Sequence, residues 1–235
     1  MIEFKSVHIG YNKSLFEISK LTLEKGKLYI LVGKNGSGKS TLLKSITKQI
    51  PVLNGTISLN GKNISQLKDH QVAQNVAFVR STFPQVDFLS VIDFIGLGRT
   101  PHTNAFGRLS AIDKDAVNRA IDLLKLHHLQ NKFTSELSDG ERQLVALARA
   151  IAQSSEVIIL DEPTAFLDYS NKLIVLETLK DLASKLDKCI VLSSHDIDLA
   201  IESKSDFLVL PKDGSSPKLL PAPIDKKQLL EMTFL

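Results

Sequence analysis

The segment Gly33-Lys34-Asn35-Gly36-Ser37-Gly38-Lys39-Ser40-Thr41 constrains this chain more than any other. It follows Leu28-Tyr29-Ile30-Leu31-Val32, a continuous apolar run of the kind that forms a strand covered on both faces of a sheet. A helical pattern from Ser40 to Gln49 follows it. Strand, glycine-rich turn and helix in this order, with Gly-x-x-x-x-Gly-Lys-Ser, make a phosphate cradle. Phosphate oxygens are bulky and charged, so backbone must approach closely and aim several N–H groups at them. Gly33, Gly36 and Gly38 allow the approach and the unusual dihedrals. The helix that starts near Lys39 adds its positive end. Lys39 is expected to reach the β- and γ-phosphates, and the Ser40 hydroxyl to ligate Mg²⁺.

A second segment completes a reaction centre. Val157-Ile158-Ile159-Leu160 is an apolar strand that ends on Asp161-Glu162. A carboxylate at the C-terminal end of a parallel strand can hold Mg²⁺ beside a phosphate loop, and Asp161 takes that place. Glu162 is then positioned to polarise an attacking water as a general base.

Around these motifs the chain alternates strands and helices. Residues 2–9 alternate roughly and read as an edge or half-buried strand, and Leu15 to Leu23 as another. Asn54-Gly55 and Asn60-Gly61 are both hairpin signals. Val76 to Val79 reads as a short buried strand. From about Val91 to Ala152 the pattern is helical, which suggests an inserted lobe. Strand runs return at 157–160, 189–193 and 207–210 with helices between them, the pattern of a parallel sheet with crossovers. A turn, a short strand and a helix near Lys226 to Met232 are expected in the tail.

Composition removes several classes of protein. A net charge of +3 on 235 residues gives no reason to expect a nucleic-acid partner. Apolar runs fall far short of the roughly 20 residues needed to cross a bilayer. The start, Met1-Ile2-Glu3-Phe4-Lys5, has no signal-peptide shape. Cys189 is the one cysteine, which suits a reducing cytoplasm, and its apolar neighbours predict burial.

Leu137-Ser138-Asp139-Gly140-Glu141 resembles the signature sequence of the ATP-binding cassette, or ABC, ATPases. The resemblance covers nearly the whole chain. It implies an α/β P-loop cassette: a mainly parallel core sheet, an antiparallel β subdomain and an inserted α-helical subdomain. The core would span about 1–80 and 153–235, and the helical part about 82–152. The usual signature has glycine where this chain has Asp139, whereas Ser138 and Gly140 are present. Read locally, Ser138 and Glu141 also form a capping box at a helix start.

In this family the signature of one copy faces the phosphate loop of another. The resemblance therefore implies a homodimer with ATP and Mg²⁺ at its interface. It further implies that Asp168, in Phe166-Leu167-Asp168, touches the opposite copy, and that His195 contacts the γ-phosphate. Tyr11 falls where the family stacks an aromatic on adenine, although a tyrosine at a strand end is also a common surface residue. The family places a glutamine after the strand read as Val76 to Val79. Here Ser81 holds that position by spacing and Gln85 by residue type.

Gly96-Leu97-Gly98-Arg99-Thr100-Pro101-His102 and Phe106-Gly107-Arg108-Leu109-Ser110 are similar to the ATPases of importers for iron–siderophore complexes, haem and vitamin B12. That likeness implies integral membrane permease partners docking on the helical part. An external substrate-binding protein would act indirectly, and the chain would sit in the cytoplasm on the inner face of the membrane. A soluble ABC ATPase of another role, such as cluster assembly, is the competing expectation. A plain P-loop kinase leaves Ser138 to Gln143 and His195 unexplained.

Overall fold

The computed structural model describes residues 1–80, 87–104 and 106–234. Ser81 and Gln85, the two candidates for the glutamine position, lie outside the described residues.

The chain begins with β1 (Ile2–Gly10) and β2 (Ser14–Leu23), then β3 (Leu28–Val32) and α1 (Lys39–Ile46). β4 (Asn54–Leu59), β5 (Lys62–Asn63), α2 (Asp69–Asn75) and β6 (Val76–Val79) follow. The helices α3 (Val91–Gly96), α4 (Ala111–Leu123) and α5 (Asp139–Ala152) come next. The last part alternates: β7 (Val157–Leu160), α6 (Tyr169–Lys185), β8 (Cys189–Ser193), α7 (Ile197–Glu202), β9 (Asp206–Val209), β10 (Lys218–Leu220) and α8 (Lys226–Thr233).

Two sheets result. One is antiparallel, in the order β2-β1-β4-β5. Of the two readings of β1, edge or half-buried, the second holds: β1 is interior and half-buried, and β2 and β5 are the edges. Its rough alternation has a physical cause. Ile2 and Phe4 face the core at even positions, Val7 and Ile9 at odd ones. The phase changes at Ser6, a bulge residue with φ 49°. Gly55 lies against that bulge with φ 80°, and a Cβ there would stand 2.0 Å from the Ser6 carbonyl oxygen. Asn54-Gly55 is therefore the start of β4 fitted to a bulge, not a hairpin turn. Asn60-Gly61 does form the turn from β4 to β5, with both residues at positive φ.

The second sheet runs β10-β9-β3-β8-β7-β6, with β10 antiparallel and the others parallel. β3 is buried throughout. Leu28, Ile30 and Val32 join a core shared with α3, α5 and α6, whereas Tyr29 and Leu31 join a core shared with α1 and the antiparallel sheet. This two-sided burial is why the strand reads as unbroken apolar residues. Cys189 is fully buried, and burial pushes its thiol up to about 12, so it packs as a small apolar side chain.

Between β6 and β7 the described residues contain no named strand. The segment Leu97–His102 is a 3₁₀ turn that latches onto the end of α5. A Cβ on Gly98 would meet the Arg149 carbonyl oxygen at 2.3 Å. Arg99 is buried, pairs with Asp113 at 2.9 Å and donates to the Ala152 carbonyl at 2.8 Å. His102 Nε2 lies 2.9 Å from the Gln153 carbonyl. Much of the motif therefore faces inward and builds the helical part, while Leu97 is half exposed.

Arg99→Leu is expected to lower stability by about 3 kcal/mol, because it removes the charged partner of a buried carboxylate. For a chain of this size the loss appears as roughly 6–12 °C in thermal unfolding. An unchanged midpoint would show the latch to be dispensable. Hydrogen bonds from the Ser110 hydroxyl and amide, and then from Arg99, hold the Asp113 carboxyl at about 2, below its ordinary 3.8. A depressed folded-state value stabilises above the ordinary one and is lost as pH falls through the folded one. The latch therefore weakens only on acidification below 3.8 towards about 2.

Candidate functional site

The C-terminal ends of β3, β7 and β8 converge, as a parallel sheet requires of neighbouring strands. β3 delivers the glycine loop. Gly36 has φ 77° and Gly38 φ 99°, both in the left-handed region. A Cβ at Gly38 would stand 2.8 Å from the Phe16 ring, and one at Gly33 would stand 2.8 Å from Ser37 Oγ. The loop is therefore a cradle that side chains would fill. Ser37 Oγ is buried and has no hydrogen-bond partner among the described residues. Such an orphan suits a phosphate oxygen.

Lys39 opens α1 and is buried. Its Nζ folds back over the loop, donating to the Gly33 carbonyl at 2.8 Å and the Lys34 carbonyl at 3.2 Å. Burial pushes this ammonium below the usual lysine range, and Glu162 and Asp161 oppose the shift. Asn35, Gly36, Gly38, Lys39, Ser40, Thr41, Glu162 and His195 line one cleft of about 330 Å³.

β7 ends on Asp161, which is 8% exposed. Its amide donates to the Val79 carbonyl at 2.9 Å. Glu162 follows at φ 52°, a left-handed backbone that costs a residue with a Cβ about 1 kcal/mol. His195 Nε2 contacts Glu162 Oε1 directly. Asp161 lines a second cleft of about 440 Å³ with Tyr11, Lys44, Phe78 and Arg80. Tyr11 is exposed there. The donor set fits Mg²⁺, since the Ser40 hydroxyl and the Asp161 carboxylate are hard oxygen ligands.

Six of the expected site residues line neither cleft: Gly33, Lys34 and Ser37 belong to the glycine loop itself, and three belong to other segments. Ser138, Gly140 and Asp168 are not among the described lining residues of either cleft. Ser138 caps α5: its Oγ accepts from the Glu141 amide at 3.3 Å, while its own amide donates to Glu141 Oε2 at 2.8 Å. That amide holds the Glu141 carboxyl below the usual carboxylate range. Asp139, which stands where glycine is usual, turns outward and pairs with Arg142 at 3.1 Å. A Cβ on Gly140 would stand 3.4 Å from Leu167 and from the Phe166 carbonyl, so the signature segment packs on the segment that carries Asp168. Asp168 caps α6 by accepting from the Asn171 amide at 2.8 Å.

Ser193 is the residue missed in the sequence. It closes the apolar strand β8 and contacts both Asp161 and the Glu162 amide. Its only signal was a small polar residue ending an otherwise apolar run.

A glycine cradle, a lysine, two carboxylates and a histidine at the C-terminal edge of one parallel sheet define a P-loop ATPase cassette. The family model described as ABC transporter matches residues 16–165. The chain belongs to the ABC transporter family. It is 37% identical over 202 residues to an uncharacterised ABC transporter ATP-binding protein of Methanocaldococcus jannaschii, covering 86% of this chain and 70% of that one. It is 32% identical over 208 residues to the iron(3+)-hydroxamate import ATP-binding protein of Bacillus subtilis, covering 88% and 77%. A solved structure described as an inward-facing metal-chelate type ABC transporter superposes with a TM-score of 0.82 at 29% identity, covering 98% of this chain and 88% of that one.

Proposed function

We propose that this chain is the ATP-hydrolysing subunit of a membrane importer, that it closes as a homodimer around ATP, and that its cargo is an iron–siderophore, haem or cobalamin-type compound. The observation that carries the reading is the cleft that brings Lys39, Ser40, Glu162 and His195 together. The likeness to an iron-hydroxamate import protein and to a metal-chelate type transporter supports the cargo class.

In this reading Gly33 to Thr41 receive the phosphates, and Lys39 exchanges the Gly33 and Lys34 carbonyls for phosphate oxygens. Mg²⁺ held by Ser40 and Asp161 would neutralise phosphate charge. Glu162 accepts a proton from the water that attacks the γ-phosphorus, the bond to the bridging oxygen breaks, and ADP and phosphate leave. His195 fixes the Glu162 carboxylate and reaches towards the γ-phosphate. Tyr11 stacks on adenine. Ser138, Gly140 and Asp168, which the described clefts leave out, complete the site of the opposite copy. Closure around ATP supplies the force on the permease, and hydrolysis resets it.

The permease docks on the inserted helical part between β6 and β7. Among the described residues no helix is long and apolar enough to cross a membrane, so membrane work would require that partner. Affinity purification from detergent-solubilised membranes is expected to recover a multi-spanning permease with this chain. Recovery of soluble partners alone would favour an ABC ATPase of non-transport function.

A further inference from the structure

We infer that Ser193 is a positioning residue that sets the metal-binding carboxylate and the general base with one hydroxyl. The inference rests on the roles proposed above for Asp161 and Glu162.

β7 and β8 are parallel, and Leu160 pairs with Leu192. The next residue of β8 therefore lies beside the end of β7, where the ladder stops and the two carboxylates begin. Ser193 is fully buried. A serine hydroxyl has one proton to give and lone pairs to receive. Here the proton goes to Asp161 Oδ1 at 2.8 Å, and a lone pair accepts the Glu162 amide at 2.9 Å.

The second bond explains how Glu162 keeps its backbone conformation. At φ 52° its amide has left the sheet ladder, so a strand neighbour cannot pair with it by backbone. The Ser193 side chain takes that place. The Asp161 amide is tied to Val79 on the other side, so the pair is clamped between β6 and β8. His195 then reaches Glu162 from the loop that follows Ser193. One hydroxyl thus links the backbone of the base to the head of the metal ligand. Losing the hydroxyl at this fully buried position takes from the Asp161 carboxylate and the Glu162 amide the partner they share. Strand burial alone would be met as well by alanine. The hydroxyl is needed only if these two groups must keep a fixed relation.

The test uses the full chain with Ser193→Ala, Ser193→Cys and Ser193→Thr. Cysteine keeps the size but bonds weakly; threonine keeps the hydroxyl. Affinity for a fluorescent ATP analogue without divalent ion is expected to stay within about twofold in all three, since the phosphate loop is untouched. Binding of Mn²⁺, followed by electron paramagnetic resonance with a non-hydrolysable ATP analogue, is expected to weaken about tenfold in the Ala and Cys variants. Their kcat is expected to fall on the order of tenfold to a hundredfold, as misplacement of reacting groups does. Ser193→Thr is expected to recover both to within about threefold. Ala and Cys variants with parental Mn²⁺ affinity and kcat would overturn the inference, as would a folded Thr variant that recovers neither. If the unaltered chain does not hydrolyse ATP, the proposed function fails by itself, and the Mn²⁺ titration still decides the role of Ser193.

Discussion

Glu162→Gln is expected to stop turnover while leaving ATP bound. The change keeps the side chain's size but removes its ability to take a proton. A positioned general base contributes about 10²–10⁴-fold in rate, so kcat should fall by that factor. The affinity for ATP should hold, because the phosphate cradle is built from Gly33 to Thr41 and not from β7. Removing the carboxylate also removes a negative charge from a cleft meant for phosphates. Bound ATP should therefore persist, and size-exclusion chromatography in saturating Mg-ATP should show a dimer. A monomer there would count against the two-copy site. Near-parental kcat would remove Glu162 from the role of base.

Lys39→Ala should act one step earlier and prevent binding. Nζ of Lys39 bonds carbonyl oxygens of the loop, so the ammonium stands at the loop's mouth. Losing a buried, hydrogen-bonded charge opposite a charged partner costs about 3 kcal/mol, or roughly a hundredfold in Kd. Fluorescence titration with an ATP analogue measures it. Retained affinity would withdraw the phosphate-loop assignment. The two variants separate cleanly: one binds without turning over, the other does neither.

Local features were legible in the sequence and long-range ones were not. β3, β6, β7 and β8 follow from runs of apolar residues, and the loops after β3 and β7 follow from motifs at their ends. The same dipeptide, Asn-Gly, misled at 54–55 and served at 60–61. What separates them is the bulge at Ser6, on a different strand, which no local pattern contains. The sequence left β1 open between edge and half-buried, because alternation reports which face is buried, not which strands flank it. Ser193 was missed for a related reason: its partners are the carboxylates at 161 and 162, about thirty residues earlier. The Gly96 to His102 segment matched an importer pattern, yet Gly98 and Arg99 turn inward to hold α5, a packing role invisible without Arg149 and Ala152 beside them. Family resemblance gave His195 a contact with the γ-phosphate, and the structure adds its direct contact with Glu162, which the sequence did not suggest.

The placement of β3 carries a consequence for the order in which the protein becomes competent during synthesis. The strand that launches the phosphate loop is made from residues 28–32, yet its two neighbours are β8 and β9, made from residues 189–193 and 206–209. A chain still emerging from the ribosome lacks both flanks until most of it has been translated. Such distant pairing is slow, since loop closure must come before contacts repay it. Nascent chains therefore carry the whole nucleotide motif for most of their synthesis without a framework to shape it. Capture of ATP is expected only once residues 189–209 are in place beside β3.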